Sequence, residues 1–212
     1  MHIPKSETSA MEILSFREAR SLSTSSDYDR DRWLYVPDFY TEYRYVLGTR
    51  GISPVICCGI NPSTAEPDNL DPTLKSVARI ADANGFTSWL MFNVYAQRAT
   101  RPDDMDRERN ELLHRENMEA FRTLLELAAA GGDTPVVWAA WGAIIEKRPY
   151  LPGCVLDMAS VGQRFGARWF TAGPRSKAGH PHHPLYLKKN SSLDPFTDLT
   201  DYLHSLEEKF RR

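Results

Sequence analysis

The sequence has little that would carry it into a membrane or an oxidising compartment. No apolar run approaches the ~20 residues that a bilayer span needs, and the start, Met1-His2-Ile3-Pro4-Lys5-Ser6-Glu7, has no secretory hydrophobic region. The expectation is a cytoplasmic protein with no membrane partner. Cysteine is scarce: Cys57 and Cys58 are adjacent inside an apolar run and Cys154 stands alone, which excludes a disulfide framework and a CxxC metal pair. All three read as buried thiols. Charge of one sign is lacking too, and a net charge of −2 excludes coating of nucleic acid by bulk electrostatics. Internal repeats are absent, and nothing points to a cofactor or an obligate protein partner.

What is present is an ordinary globular composition, 42% hydrophobic and 25% charged. At 212 residues the chain stays below the roughly 250–300 at which one core splits into several. Residues 1–32 are polar and Ser-rich without a sustained period and read as a flexible N-terminal arm. Residues 33–212 read as one α/β domain. The stretch Trp33 to Leu47 is dense in aromatics, and Tyr43-Arg44-Tyr45-Val46-Leu47 suits a short strand at a sheet edge.

From Pro54 a regular alternation begins. Val55 to Ile60 is a continuous apolar run, as a strand buried on both faces reads. Asp71-Pro72-Thr73 is a helix start, Asp as N-cap and Pro in the first turn, followed by Leu74, Val77, Ala78 and Ala81 at helical spacing and stopped by Gly85. Trp89 to Val94 predicts a second strand, Arg107 to Ala130 a long amphipathic helix, and Pro135 to Ala140 a third strand. Helical segments follow at Ala143 to Lys147 and Leu156 to Phe165, then a short strand at Arg168 to Thr171 and a closing helix at Asp194 to Phe210. Strands alternating with helices imply a three-layer α/β/α sandwich around a mostly parallel sheet of about four strands. Ligands of such sheets bind outside the carboxyl ends of the strands.

Four loop motifs lie at those ends. Gly59-Ile60-Asn61-Pro62-Ser63-Thr64-Ala65 offers an amide after a close turn, although Asn-Pro-Ser is also a common turn sequence. In Phe92-Asn93-Val94 a polar amide interrupts a buried run and must find a partner. Trp141-Gly142 follows the third strand, where the Trp taken alone suits a core position better than a functional one. In Gly179-His180-Pro181-His182-His183-Pro184-Leu185-Tyr186 the histidines lack the helical spacing of a zinc motif. A loop that hydrogen-bonds an anion or a base is the better reading, and no metal is assigned. Between Asp157 and Asp194 no acidic residue occurs, while Arg164, Arg168, Arg175, Lys177, Lys188 and Lys189 all do. This run is either a solvated loop or a phosphate-binding surface.

In order, Gly59 to Ala65, Leu70-Asp71-Pro72-Thr73, Phe92 to Thr100, Trp138 to Gly142 and His183 to Tyr186 resemble the uncharacterised family called domain of unknown function 1643, from about Tyr43 to Leu187. More distantly, the same order is similar to the uracil-DNA glycosylase superfamily, with its Gly-Ile-Asn-Pro motif, strand-ending Asn, Trp-Gly and His-Pro loop. That resemblance implies that Asn61 positions the attacking water, Asn93 reads an unstacked base, and His183, or else His180, stabilises the departing base. Ser63, Tyr95 and Trp141 join the substrate-binding set, with Tyr95 or Phe92 stacking on the base, and Arg175, Lys177, Lys188 and Lys189 meet phosphates. The sequence departs from the pattern in its longer histidine loop and in Ser63-Thr64-Ala65, and Asn61 cannot serve as a general base.

The leading expectation is an N-glycosidic bond hydrolase acting on a base in DNA or in a nucleotide. One alternative is a non-catalytic nucleotide or nucleic-acid binding module of the same fold. Another is a metal-dependent phosphate-ester hydrolase built on the histidines with Asp68 and Asp71.

Overall fold

The apolar run Val55 to Ile60 divides its side chains between two cores. Ile56 and Cys58 pack with Leu90, Phe92, Val137 and Ala139, whereas Val55 and Cys57 pack with Trp89, Met91 and Trp138. Successive strand residues face opposite ways, so a run with no polar interruption lies in a strand covered on both faces. In the computed structural model, which describes residues 7–22, 24 and 27–211, this run is the middle of a seven-stranded sheet.

The elements in chain order are α1 (Phe16–Ser21), β1 (Trp33–Val36), β2 (Val46–Thr49), β3 (Val55–Gly59), α2 (Pro72–Ala83), β4 (Trp89–Asn93), α3 (Glu111–Ala129), β5 (Val136–Ala139), α4 (Leu151–Arg164), β6 (Arg168–Ala172), β7 (Leu193–Pro195) and α5 (Leu199–Arg211). In space the strands run β1-β2-β4-β3-β5-β6-β7. The four in the middle are parallel, and β1, β2 and β7 are antiparallel additions at the edges. From β3 the chain crosses to β4 on one side through α2, then returns past β3 to β5 through α3. Right-handed crossovers in opposite directions place their helices on opposite faces. Accordingly α2 covers one core, and α1, α3, α4 and α5 cover the other. The order of the strands reverses at β3, and there a crevice opens outside the carboxyl ends.

The expected sheet of about four strands is therefore the parallel centre of a larger one. The edge strands are short, and β7 ends in Pro195, so period-two alternation has no room to show. The segment read as starting the last helix at Asp194 forms β7 instead, and the Tyr43–Leu47 strand is displaced to Val46–Thr49. α3 begins at Glu111 behind an Asn110 cap, and α4 begins at Leu151, ahead of Leu156. Part of the expected arm is folded. A capping box between Ser15 and Glu18 starts α1, which buries Phe16 and Ala19, and Tyr45 Oη donates to the Leu14 carbonyl at 2.7 Å. Two buried residues in a six-residue helix leave no period to read. Residues 1–6, 23, 25 and 26 of that arm lie outside the described residues. No helix among the described residues is long and apolar enough to cross a membrane.

Candidate functional site: a cleft at the carboxyl ends of β3 and β4

The loops leaving β3 and β4 run side by side and continue the pairing of their strands. Val94 N-H donates to the Gly59 carbonyl at 2.9 Å, Tyr95 N-H to Ile60 at 3.0 Å, and Ala99 N-H to Pro62 at 2.9 Å. Asn61 closes the same seam, donating from Nδ2 to the Ala99 carbonyl at 2.7 Å and to the Pro62 carbonyl at 3.0 Å. Two arginines hold the next stretch. Arg44 Nη1 donates to the Ala65 carbonyl at 2.9 Å, and Arg98 donates to the Ser63 carbonyl and to Tyr35 Oη.

Beside this seam lies a cleft of about 350 Å³. Its walls are Gly59 at the end of β3, Asn61 and Ser63 in the loop that follows, Asp71 and Thr73 at the start of α2, Met91 and Asn93 of β4, Ile144 after β5, and His183 and Leu185, with Arg44 also lining it. Asn93 is fully buried, and neither its Oδ1 nor its Nδ2 has a hydrogen-bond partner. Asn117 of α3 donates to the backbone carbonyls of Asn93 at 3.0 Å and Val94 at 3.3 Å, which holds the strand end so that the unpaired carboxamide stays in the cleft wall.

Asp71 has two roles here. Its Oδ1 caps α2, accepting from Leu74 N-H at 2.8 Å, and the residue also faces the cleft. His183 Nδ1 accepts from Leu185 N-H in a long contact of 3.4 Å, which leaves the proton of a neutral ring on Nε2. Burial pushes its pKa down, against an opposing pull from the Asp71 carboxylate. The neutral ring is thus a donor at neutral pH. Gly142 supports it: at φ +65° it turns the chain beside His183, and a Cβ there would lie 3.6 Å from that of His183.

Of the residues singled out in the sequence, Asn61, Ser63, Asn93 and His183 come together. The others do not. Trp141 is fully buried and donates from Nε1 to Tyr202 Oη at 3.2 Å, so it forms core behind the site. Tyr95 is buried with its hydroxyl donating to Asp106 at 2.7 Å and accepting from Asn110 N-H at 2.9 Å. Phe92 packs on Phe121 with ring centroids 5.0 Å apart. His180 is buried between Tyr202 Oη, 2.9 Å from Nδ1, and Glu146, 3.2 Å from Nε2. A place in or after a strand leaves open whether a side chain enters a core or the cleft, and each of these enters a core.

The basic run is scattered as well. Arg164 ends α4 and Arg168 starts β6, at the end of the sheet away from the cleft. Arg175 is paired with Asp198 at 2.7 Å and lies over the Phe196 ring, whereas Lys177, Lys188 and Lys189 are exposed. Among the described residues no group of three or more His, Cys, Asp or Glu side chains is placed to hold a metal ion. Asp68, proposed with the histidines, instead accepts from Trp33 Nε1 at 3.1 Å.

Two cleft residues, Arg44 and Thr73, have no role in the sequence reading. The signal for Arg44 is a charged residue between two aromatics in a strand-like segment, which implies a charge drawn inside.

A family model described as protein of unknown function DUF1643 matches residues 44–185. The chain belongs to the DUF1643 family. The DUF1643 match begins at Arg44 and ends at Leu185, and both line the cleft; every cleft residue named above falls within it. The helices and strands outside the match, α1, β1, β7 and α5, complete the sheet edges and one core. No curated protein and no solved structure matches the chain.

Proposed function

We propose that the cleft binds a nucleobase and that the protein is an N-glycosidic bond hydrolase acting on a base in DNA or in a nucleotide, with a uracil-DNA glycosylase-like fold. The observation that carries this reading is the Asn93 carboxamide. A buried amide with both donor and acceptor unpaired costs ~1–3 kcal/mol for each group left unsatisfied, a cost that a ligand edge presenting the complementary acceptor and donor would remove. A nucleobase edge has that pattern. In the reaction, water held by Asn61 Oδ1 adds to C1′ of the sugar as the C1′–N bond breaks. The electron pair of that bond goes to the departing base, which His183 Nε2-H stabilises by hydrogen bonding. The water's proton passes to solvent or to the released base.

Asn61 supports a second reading. Its Nδ2 is already committed to the Ala99 and Pro62 carbonyls, which suits a residue that shapes a binding cleft without activating water. Incubation with oligonucleotides and nucleotides carrying a panel of natural and altered bases, followed by alkaline strand cleavage or analysis for free base, separates the two. Release of base that is lost in Asn93→Ala supports hydrolysis. Saturable binding without release establishes the binding module, and neither binding nor release of any base rejects both.

A further inference from the structure

Arg44 and Arg98 are each about 1% exposed, and no carboxylate of the described residues lies within 4.0 Å of either guanidinium. Buried charges ordinarily carry an ionic partner, since water has been taken from them. Arg98 is largely satisfied through its two Nη groups, although its Nε, like that of Arg44, has no acceptor: it donates to the Ser63 carbonyl and to Tyr35 Oη at 2.8 Å, and lies 4.9 Å from the centre of the Tyr40 ring. Arg44 is not. It donates only from Nη1, to the Ala65 carbonyl, and its Nε is buried with no acceptor. Burial, followed by repulsion from Arg98, lowers its pKa to about 9, with Asp71 and Glu66 opposing at longer range, so the group stays charged at neutral pH.

Arg44 lines the cleft together with Thr73, in the first turn of the twelve-residue α2. The Asp71 carboxylate takes the Leu74 N-H, and the Thr73 N-H has no acceptor among the described residues. A helix amino end with an open N-H, beside a guanidinium that lacks an ion-pair partner, is the donor set that oxyanions select. We propose that this corner of the cleft is a phosphate site, so that the ligand is a nucleotide rather than a free base or nucleoside, its phosphate held by Arg44 and the Thr73 N-H. The base half of this inference rests on the reading of Asn93 given above; the phosphate half does not.

Inorganic phosphate titrated into the isotope-labelled full chain is the direct test. The Arg44 Nε-H and Thr73 amide resonances shift saturably, and added sodium chloride weakens the effect. Arg44→Gln loses the charge, its amide ending two bonds short of the Nη1 that donates to the Ala65 carbonyl, and phosphate affinity falls roughly tenfold or more. In calorimetry a nucleoside monophosphate or a short single strand binds more tightly than the matching nucleoside. The stronger of those two probes identifies a free nucleotide or a polymer as the source of the phosphate. If phosphate binds while the base and Asn93→Ala make no difference, the phosphate site stands and the base reading falls. Absence of shifts at Arg44 and Thr73 in millimolar phosphate overturns the proposal, as does a folded Arg44→Gln chain with undiminished phosphate affinity.

Discussion

Gly59 lies against Asn93 across the parallel pair β3 and β4, so closely that a Cβ on Gly59 would come within 3.0 Å of Asn93 Oδ1 and 2.4 Å of Met91 Cε. The absence of a side chain at position 59 is what keeps the Asn93 carboxamide open to the cleft. Gly59→Ala is expected to destabilise the fold by ~1–3 kcal/mol through overpacking and to lower affinity for any base. Chemical denaturation and ligand titration of the same variant check both, and unchanged affinity would separate Asn93 from recognition.

Replacing Asn93 itself is expected to move stability and function in opposite directions. Asn93→Leu removes two buried polar atoms that lack partners and should raise unfolding free energy by ~1–3 kcal/mol while abolishing base binding. A loss of stability in Asn93→Leu would show that the carboxamide is satisfied within the fold.

Asp71 offers a test of cap against cleft. Asn caps as well as Asp, so Asp71→Asn should leave stability within a few tenths of a kcal/mol, whereas Asp71→Ala should cost ~1 kcal/mol. Removing the charge also brings Arg44 less opposition to an anion, so phosphate affinity should rise in Asp71→Asn. Urea midpoints and phosphate titrations distinguish the two effects.

Acid is expected to weaken the fold through histidine. Burial lowers the pKa values of His114, His180 and His183 from the ordinary 6.5. Above that value both folded and unfolded chains hold neutral rings and nothing is lost. Below it the unfolded chain takes up protons that the folded chain resists, so stability falls as pH drops. A denaturation series across about pH 5 to 8 should show this decline, with a shallower slope in His183→Asn. An unchanged slope would mean that His183 titrates alike in both states.

The exposed Lys188 and Lys189 give a test of polymer binding. Lys188→Ala with Lys189→Ala should leave the fold intact, because exposed charges contribute roughly 0–1 kcal/mol. If a strand is the ligand, the pair should also flatten the dependence of affinity on salt. Fluorescence anisotropy with a labelled strand at several salt concentrations measures it.

What the sequence determines here follows from short-range rules. The all-apolar run Val55 to Ile60 can only be a strand covered on both faces, and Asp71-Pro72 can only begin a helix cheaply, so the parallel centre and α2 are legible without coordinates. Strand ends then identify Asn61, Asn93 and the histidine loop as the place to look. The rest depends on partners distant in the chain. Whether Trp141, Tyr95 or His180 faces a ligand or a core is settled by Tyr202, Asp106 and Glu146, each supplied by another element. The six cations between Asp157 and Asp194 are contiguous in sequence but fall at different ends of the sheet, because a strand reverses their positions within a few residues. Arg44 is the converse case. Alone in a strand-like stretch it signals only a buried charge, and only tertiary packing puts it beside the amino end of α2, where desolvation and the lack of a carboxylate turn it into a candidate for binding an anion.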